Sequence, residues 1–178
     1  MRPIVHIPNT VLSKSAKRVT VFDKKLHTII ADMKETLLAA KNPKGVGLAA
    51  PQIGVPLQLF LTKPSAKEEI RVFINPDIIH TDSPISTEKK SEHLEGCLSI
   101  PNIWGDVNRA PTVTIVYQDE KGQQHKETVT GFLATIIQHE TDHINGILFT
   151  RRVLEQKNKL YQTGKDENGK EILEEITI

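Results

Sequence analysis

The feature that most narrows what this chain can become is the run Gln138-His139-Glu140-Thr141-Asp142-His143 followed by Ile144-Asn145-Gly146. Its H-E-x-x-H core sets two imidazoles and a carboxylate on one short stretch, a metal-binding spacing with a built-in base. On an α-helix positions i and i+4 share a face, so His139 and His143 can offer ring nitrogens to one ion, with Glu140 beside any water it polarises. Such a coincidence can arise on an ordinary helix, but the flanks argue against it. Phe132, Leu133, Ile136 and Ile137 lie upstream and Ile144 follows, which predicts an amphipathic helix with its ionisable groups near a buried face. Charge there is costly unless paired or bound to metal.

Two histidines do not complete a zinc-type centre, which usually takes at least three protein ligands and a water. The metzincin continuation H-x-x-G-x-x-H is disfavoured: Gly146 is in place, but Phe149 stands where the last histidine belongs. Cys97, the sole cysteine, is the best third ligand, since a thiolate binds zinc or ferrous iron strongly and the flanking Gly96 and Pro101 suggest a shaped turn. A small buried hydrophobe is the commoner fate of a lone cysteine, and a nucleophile paired with a histidine is a further reading. The distance of Cys97 from the helix along the chain does not choose among these.

A chain of 178 residues makes one ordinary domain with room for a core. Its net charge of +1 excludes a global field for nucleic acid or an anionic membrane. A single cysteine precludes an intramolecular disulfide and suits a reducing compartment. The first residues lack the apolar core of a signal peptide, and no stretch has the length of a membrane span. The expectation is a cytoplasmic protein, or an organellar one if a transit peptide has been removed.

Along the chain, residues 1–20 read as an irregular lead-in. Asp23 can cap a helix with an apolar face of Leu26, Ile29, Ile30, Met33 and Leu37, ended by Asn42-Pro43-Lys44-Gly45. Residues 45–54 form a loop of small residues with three glycines, able to approach another backbone closely but lacking any dinucleotide or phosphate-loop fingerprint. Strands are predicted over residues 57–61 and 70–74, the second stopped by Asn75-Pro76. Residues 80–92 read as a solvated loop. A hairpin is predicted from residues 113–117 and 123–130 around the turn Asp119-Glu120-Lys121-Gly122, feeding the motif helix, which Asn145-Gly146 can stop. The expected organisation is a single catalytic domain over residues 1–150. Residues 151–178 then form a polar tail with a turn at Asn168-Gly169, either a last strand in the same domain or loosely ordered.

Three segments together, Gly45-Val46-Gly47-Leu48-Ala49-Ala50-Pro51-Gln52, Glu95-Gly96-Cys97-Leu98-Ser99 and Gln138-His139-Glu140-Thr141-Asp142-His143, closely resemble in order and content the signature motifs of the peptide deformylase family. The resemblance spans roughly residues 3–150. It implies an α+β fold with antiparallel sheets around a central helix carrying the H-E-x-x-H motif. The implied reaction is hydrolysis of the N-formyl group from the initiator methionine of nascent polypeptides, releasing formate. By the same resemblance the metal ligands are Cys97, His139 and His143, the acid/base is Glu140, and the donors to the developing oxyanion are the Gln52 side-chain amide and the Leu98 backbone N–H.

Substrate is expected to lie extended along Val46-Gly47, with Glu95 and Gly96 also in contact, and its methionine side chain in a pocket built partly from Val46, Phe132 and Ile136. One divalent ion per chain is implied: Fe2+ in the cell, with Zn2+, Ni2+ or Co2+ compatible with the same ligands in a purified sample. The implied partners are formylmethionyl nascent chains and the ribosome near its exit tunnel. Asp142 is expected to pair with Arg109 and brace the helix. Ile144 replaces a leucine common in the family. The main enzymatic rival is a zinc peptidase with Glu167, Glu171 or Glu174 as third ligand, disfavoured because those residues sit in a polar, solvated tail. A scaffold without activity is argued against by the presence of every proposed catalytic position.

Overall fold

The computed structural model describes residues 1–41, 43–82 and 94–176, so most of the loop expected at 80–92, together with Asn42 and Ile178, lies outside the described residues. Asp23 starts helix α1 (Lys24–Ala39), its Oδ1 accepting the Leu26 N–H at 2.9 Å and so satisfying one of the donors a helix start leaves open. The predicted apolar face is buried in full and packs against Leu48, Leu59, Leu61, Val72 and Ile74.

Those partners lie on one face of a five-stranded antiparallel sheet made of β1 (Gly47–Ala49), β2 (Leu59–Thr62), β3 (Arg71–Thr81), β6 (Thr112–Gln118) and β7 (Gln124–Thr130), in the order β1-β2-β3-β6-β7. Alternation along the strands sends Ala49, Phe60, Phe73, Val113 and Ile115 to the opposite face. There they meet Ala134, Ile137 and Ile144 of helix α2 (Gly131–Ile144), the motif helix. Phe60 and Phe73 stack with centroids 4.9 Å apart, and burying each such side chain contributes about 1.5–3 kcal/mol.

The stop expected at Asn75-Pro76 is not there: β3 runs on to Thr81. Asn75 adopts φ 50°, the pairing with β6 shifts register between Ile74 and Asp77, and the strand continues past a bulge. The Asn75 side chain pins that bulge through the Val19 N–H and carbonyl, at 2.7 and 2.8 Å, and Gln118. The small-residue loop likewise contains more order than predicted, with β1 followed by a 3₁₀ turn at Ala50–Ile53.

The β6–β7 hairpin has continuous register from Thr112↔Thr130 to Gln118↔Gln124, and its last residue leads directly into α2. That helix ends as predicted. Gly146 at φ 71° gives its N–H to His143, and Ile147 gives its own to Asp142, the two bonds of a Schellman stop.

The second antiparallel sheet, implied by the family resemblance, has strands that local patterns along the chain did not mark. It runs β4-β5-β8-β9, comprising β4 (Glu95–Cys97), β5 (Ile100–Gly105), β8 (Leu160–Lys165) and β9 (Glu171–Ile176). Leu98 and Ser99 form the two-residue tip between β4 and β5, with Cys97 facing Ile100. The polar tail contributes a short helix, α3 (Phe149–Glu155), and the hairpin β8–β9 around Gly169. Cys97, Ile100, Val107, Phe149, Val153 and Leu160 form its apolar core. Helix α2 is thereby flanked by the first sheet on one side and by this smaller cluster on the other, the arrangement of antiparallel sheets around a central helix expected for the fold. No helix among the described residues is long and apolar enough to cross a membrane.

Candidate active site and metal centre

The small sheet brings Cys97 from the β4–β5 hairpin against the two histidines of α2. One ligand atom from each of Cys97, His139 and His143 lies within 4.8 Å of the others, a group able to hold one metal ion. Cys97 Sγ sits 3.2 Å from His143 Nε2. His139 engages Glu95 Oε2 through Nδ1 at 2.9 Å, which sets its tautomer and leaves Nε2 for a ligand. His139 also stacks on Phe149 of α3, with centroids 6.0 Å apart. The donor chemistry fits a borderline divalent ion such as zinc or ferrous iron: one soft sulfur and two imidazoles, all drawn from a water-poor interior.

Electrostatics agree with that donor set. Burial opposes ionisation of the Cys97 thiol, but the charge on His143 and hydrogen bonds from His139 and His143 outweigh it and hold the thiol well below its ordinary range. For His139, burial disfavours the cation, and the thiol and Glu95 reverse this, holding the ring well above its usual value in the metal-free chain. A thiolate is the form that binds metal.

Beneath the ligands runs a chain of charge. Arg109 donates through Nε to Glu95 Oε1 at 2.7 Å and through one terminal nitrogen to Oε2 at 3.0 Å, and gives its other nitrogen to Asp142 Oδ2 at 2.6 Å. The expected Arg109–Asp142 brace is therefore present. Arg152 of α3 adds a bidentate contact to Asp142 at 2.7 and 3.1 Å. Burial alone raises Glu95, yet its bonds to Arg109 and His139 bring it down to about 2, so its carboxylate is occupied in orienting a ligand. Gln138 ties the adjacent backbone to the helix, accepting the Ala110 N–H at 3.0 Å and donating to the Ala110 carbonyl at 2.9 Å.

Glu140 points the other way. It is 4% exposed, and among the described residues its Oε2 has no hydrogen-bond partner. Burial pushes its carboxyl up to about 7, against the pull of His139 and His143. Gln52, equally buried, has its amide orientation fixed: Oε1 accepts the Ala49 N–H at 2.8 Å, which turns Nε2 toward Ser99 Oγ at 3.3 Å and Cys97 Sγ at 3.5 Å. The small-residue segment earns its composition here, because Gly47 leaves no space for a side chain against Glu140 and Ile136.

A cleft of about 640 Å³ opens onto these groups. Val46, Gly47 and Gln52 line one wall, Glu95, Gly96, Cys97 and Leu98 another, and Phe132, Ile136, His139 and Glu140 of α2 the third. Every residue expected to touch substrate or metal is thus at the cleft or, for His143, just behind it in the ligand group. Phe132 lies at the rim, 54% exposed. The rival third ligands Glu167, Glu171 and Glu174 are exposed on the tail, outside the ligand group. Sequence reasoning assigned no role to Gln138, Arg152 or Trp104. Arg152 lies beyond the helix stop at Gly146, where no local spacing points back to Asp142, and Trp104 gave no signal beyond being the single tryptophan.

The sequence model of the polypeptide deformylase family matches residues 1–159. The chain belongs to this family. A peptide deformylase of Dehalococcoides mccartyi is 39% identical over 175 residues, covering 98% of this chain and 99% of its own. The crystal structure of the Thermus thermophilus peptide deformylase superposes with a TM-score of 0.77 at 36% identity, covering 88% of each chain. A Synechococcus elongatus peptide deformylase, solved in complex with actinonin, gives 0.75 at 38% identity over 85% of this chain and 78% of that one. The family match ends one residue before β8, so the tail hairpin stands outside it.

Proposed function

We propose that this chain hydrolyses the N-formyl group from the initiator methionine of nascent polypeptides, converting formamide and water to formate and a free α-amine. The observation that carries the reading is the meeting of the Cys97/His139/His143 group with the unpartnered Glu140 oxygen at the floor of an open cleft, in a chain of the deformylase family. When bound, a divalent ion supplies a Lewis acid that lowers the pKa of water and polarises a carbonyl.

The remaining steps belong to side chains and backbone. An extended formyl-peptide pairs with the backbone at Val46 and Gly47, which tolerates many sequences, while Val46, Phe132 and Ile136 receive the methionine side chain. Glu140 takes the proton of the attacking water and returns it to the departing amine, its carboxyl held beside the ligand group against Gly47. The Gln52 amide and the Leu98 N–H donate to the formyl oxygen as charge grows on it; loss of one such donor typically costs about 10²–10³ in rate. Glu95 and Arg109 hold His139 in its ligating tautomer.

We assign the resident ion as Fe2+, on the strength of the sulfur and imidazole donors and the family resemblance, with Zn2+, Ni2+ or Co2+ able to take its place. The buried, unpaired Cys97 supports a reducing, cytoplasmic setting. Formylated termini first appear where chains leave the ribosome, which supports docking near the exit tunnel and is tested by co-sedimentation. An anaerobic preparation is expected to carry one metal per chain and to release formate from formyl-Met peptides. A fully metal-loaded chain that releases none, or a Glu140→Ala variant as fast as the parent, overturns the reading.

A further inference from the structure

One wall of the cleft has no part in the chemistry above. Trp104, the only tryptophan of the chain, lines the cleft from β5, where it pairs directly with Gly96, next to the ligand Cys97. A Cβ on Gly96 would meet Trp104 Cζ3 at 2.7 Å and Cε3 at 2.8 Å, so the benzo edge of the indole occupies the space that a side chain at 96 would fill. The opposite edge is tethered: Nε1 donates to Thr163 Oγ1 at 2.9 Å. Thr163 lies on β8, in the tail hairpin beyond the family match, and that strand also pairs Tyr161 with Trp104. The indole is held between the active-site strand and the tail.

We propose that Trp104 is the aromatic wall against which the side chain of the formylated residue packs, and that Thr163 is a positioning residue that sets where this wall stands. The inference rests on the deformylation reading and adds a selectivity to it. Of the residues assigned to that side chain, Phe132 lies at the rim, 54% exposed, and Val46 and Ile136 offer only aliphatic surface, which does not separate a thioether from a methylene of the same shape. An indole does, since sulfur makes a favourable contact with an aromatic ring that a methylene lacks. The tail hairpin, remote from the ligands, thereby becomes part of substrate choice.

The test compares formate release from formyl-Met and formyl-norleucine peptides by the metal-loaded wild type, Trp104→Leu, Thr163→Val and Thr163→Ser. Wild type is expected to favour methionine by about two- to tenfold, the range of a sulfur–aromatic contact. Trp104→Leu brings the ratio toward one, chiefly through KM. Thr163→Val moves it the same way, and Thr163→Ser, which keeps the hydroxyl, restores it. As the single tryptophan, Trp104 also reports directly: its emission is expected to shift when a methionyl peptide fills the cleft, less so in Thr163→Val. A wild type that releases formate while Trp104→Leu keeps both the ratio and KM overturns the inference and leaves the deformylation reading intact. So does an emission indifferent to saturating peptide. A wild type that releases no formate overturns both.

Discussion

Gly47 and Glu140 occupy each other's space. A Cβ on Gly47 would overlap the Glu140 carboxylate, with Cδ only 2.8 Å away, and would press on Ile136 Cγ2 at 2.9 Å. The glycine is what lets β1 run against the catalytic face of α2. Gly47→Ala is therefore expected to displace the carboxylate by a fraction of an ångström to an ångström and to lower kcat by about 100-fold, as misplacements of that size do. Steady-state formate release on a metal-replete variant checks it, and metal content equal to the parent separates this from loss of the site.

Glu140→Gln keeps the shape and removes the base. A drop in kcat of about 10²–10⁴ is expected with metal content unchanged. Stability of the metal-free protein moves oppositely. The Glu140 carboxyl sits at about 7 in the fold against an ordinary 4.5, so the folded state holds its proton over a range where the unfolded chain has lost it. Stability is then lost as pH rises from 4.5 toward 7. Denaturant titrations of the stripped proteins at a series of pH values should show Glu140→Gln gaining stability relative to the wild type as pH rises from 4.5 toward 7, a difference that sets aside the opposite contribution of the Cys97 thiol.

Arg109 joins Glu95 and Asp142 with side chains about nine-tenths buried on all three. Arg109→Gln leaves the buried Glu95 carboxylate with His139 alone while Asp142 keeps Arg152, so a loss toward the lower end of the ~3–5 kcal/mol for breaking a buried pair is expected. Because Glu95 orients His139, metal affinity should fall as well, by about 10- to 100-fold. Urea unfolding and competition with a chelator measure the two separately. A variant destabilised with unaltered metal affinity would detach Glu95 from the role assigned to it.

Gly146 closes the motif helix in the left-handed region at φ 71°, and a Cβ there would lie 2.8 Å from backbone atoms of Ser13 and Lys14. Gly146→Ala combines strain with overlap against backbone that cannot easily yield. A loss of about 1–3 kcal/mol, read from the urea midpoint, is expected.

What could be read from the chain was what is local. Asp23 announces α1 because a cap needs only its own helix, and Gly146 announces the end of α2 for the same reason. The β6–β7 hairpin follows from two alternating runs around Asp119 and Gly122. The small sheet stayed hidden because its order is non-local. Glu95, Gly96 and Cys97 carry no alternation, Asn102 bends β5 at φ 64°, and β5 finds its second partner at Leu160, far along the chain. The ligands were legible as motifs, but the Arg152–Asp142–Arg109–Glu95 chain that supports them was only half visible, since Arg152 reaches back across a helix break. The stop at Asn75 failed because its side chain restores through Val19 the hydrogen bonding that the bulge gives up.

The metal group adds a bridge between parts of the fold already joined by apolar packing and by the Glu95–His139 and Glu95–Arg109–Asp142 contacts, Cys97 riding on the small sheet and both histidines on α2. An ion seated there works as a rivet as much as a reagent. Stripping it should loosen amide protection first in β4 and β5, and render the region open to proteases before the larger sheet yields. Molecules that have lost their chemistry would be marked for removal by the same event that disabled them.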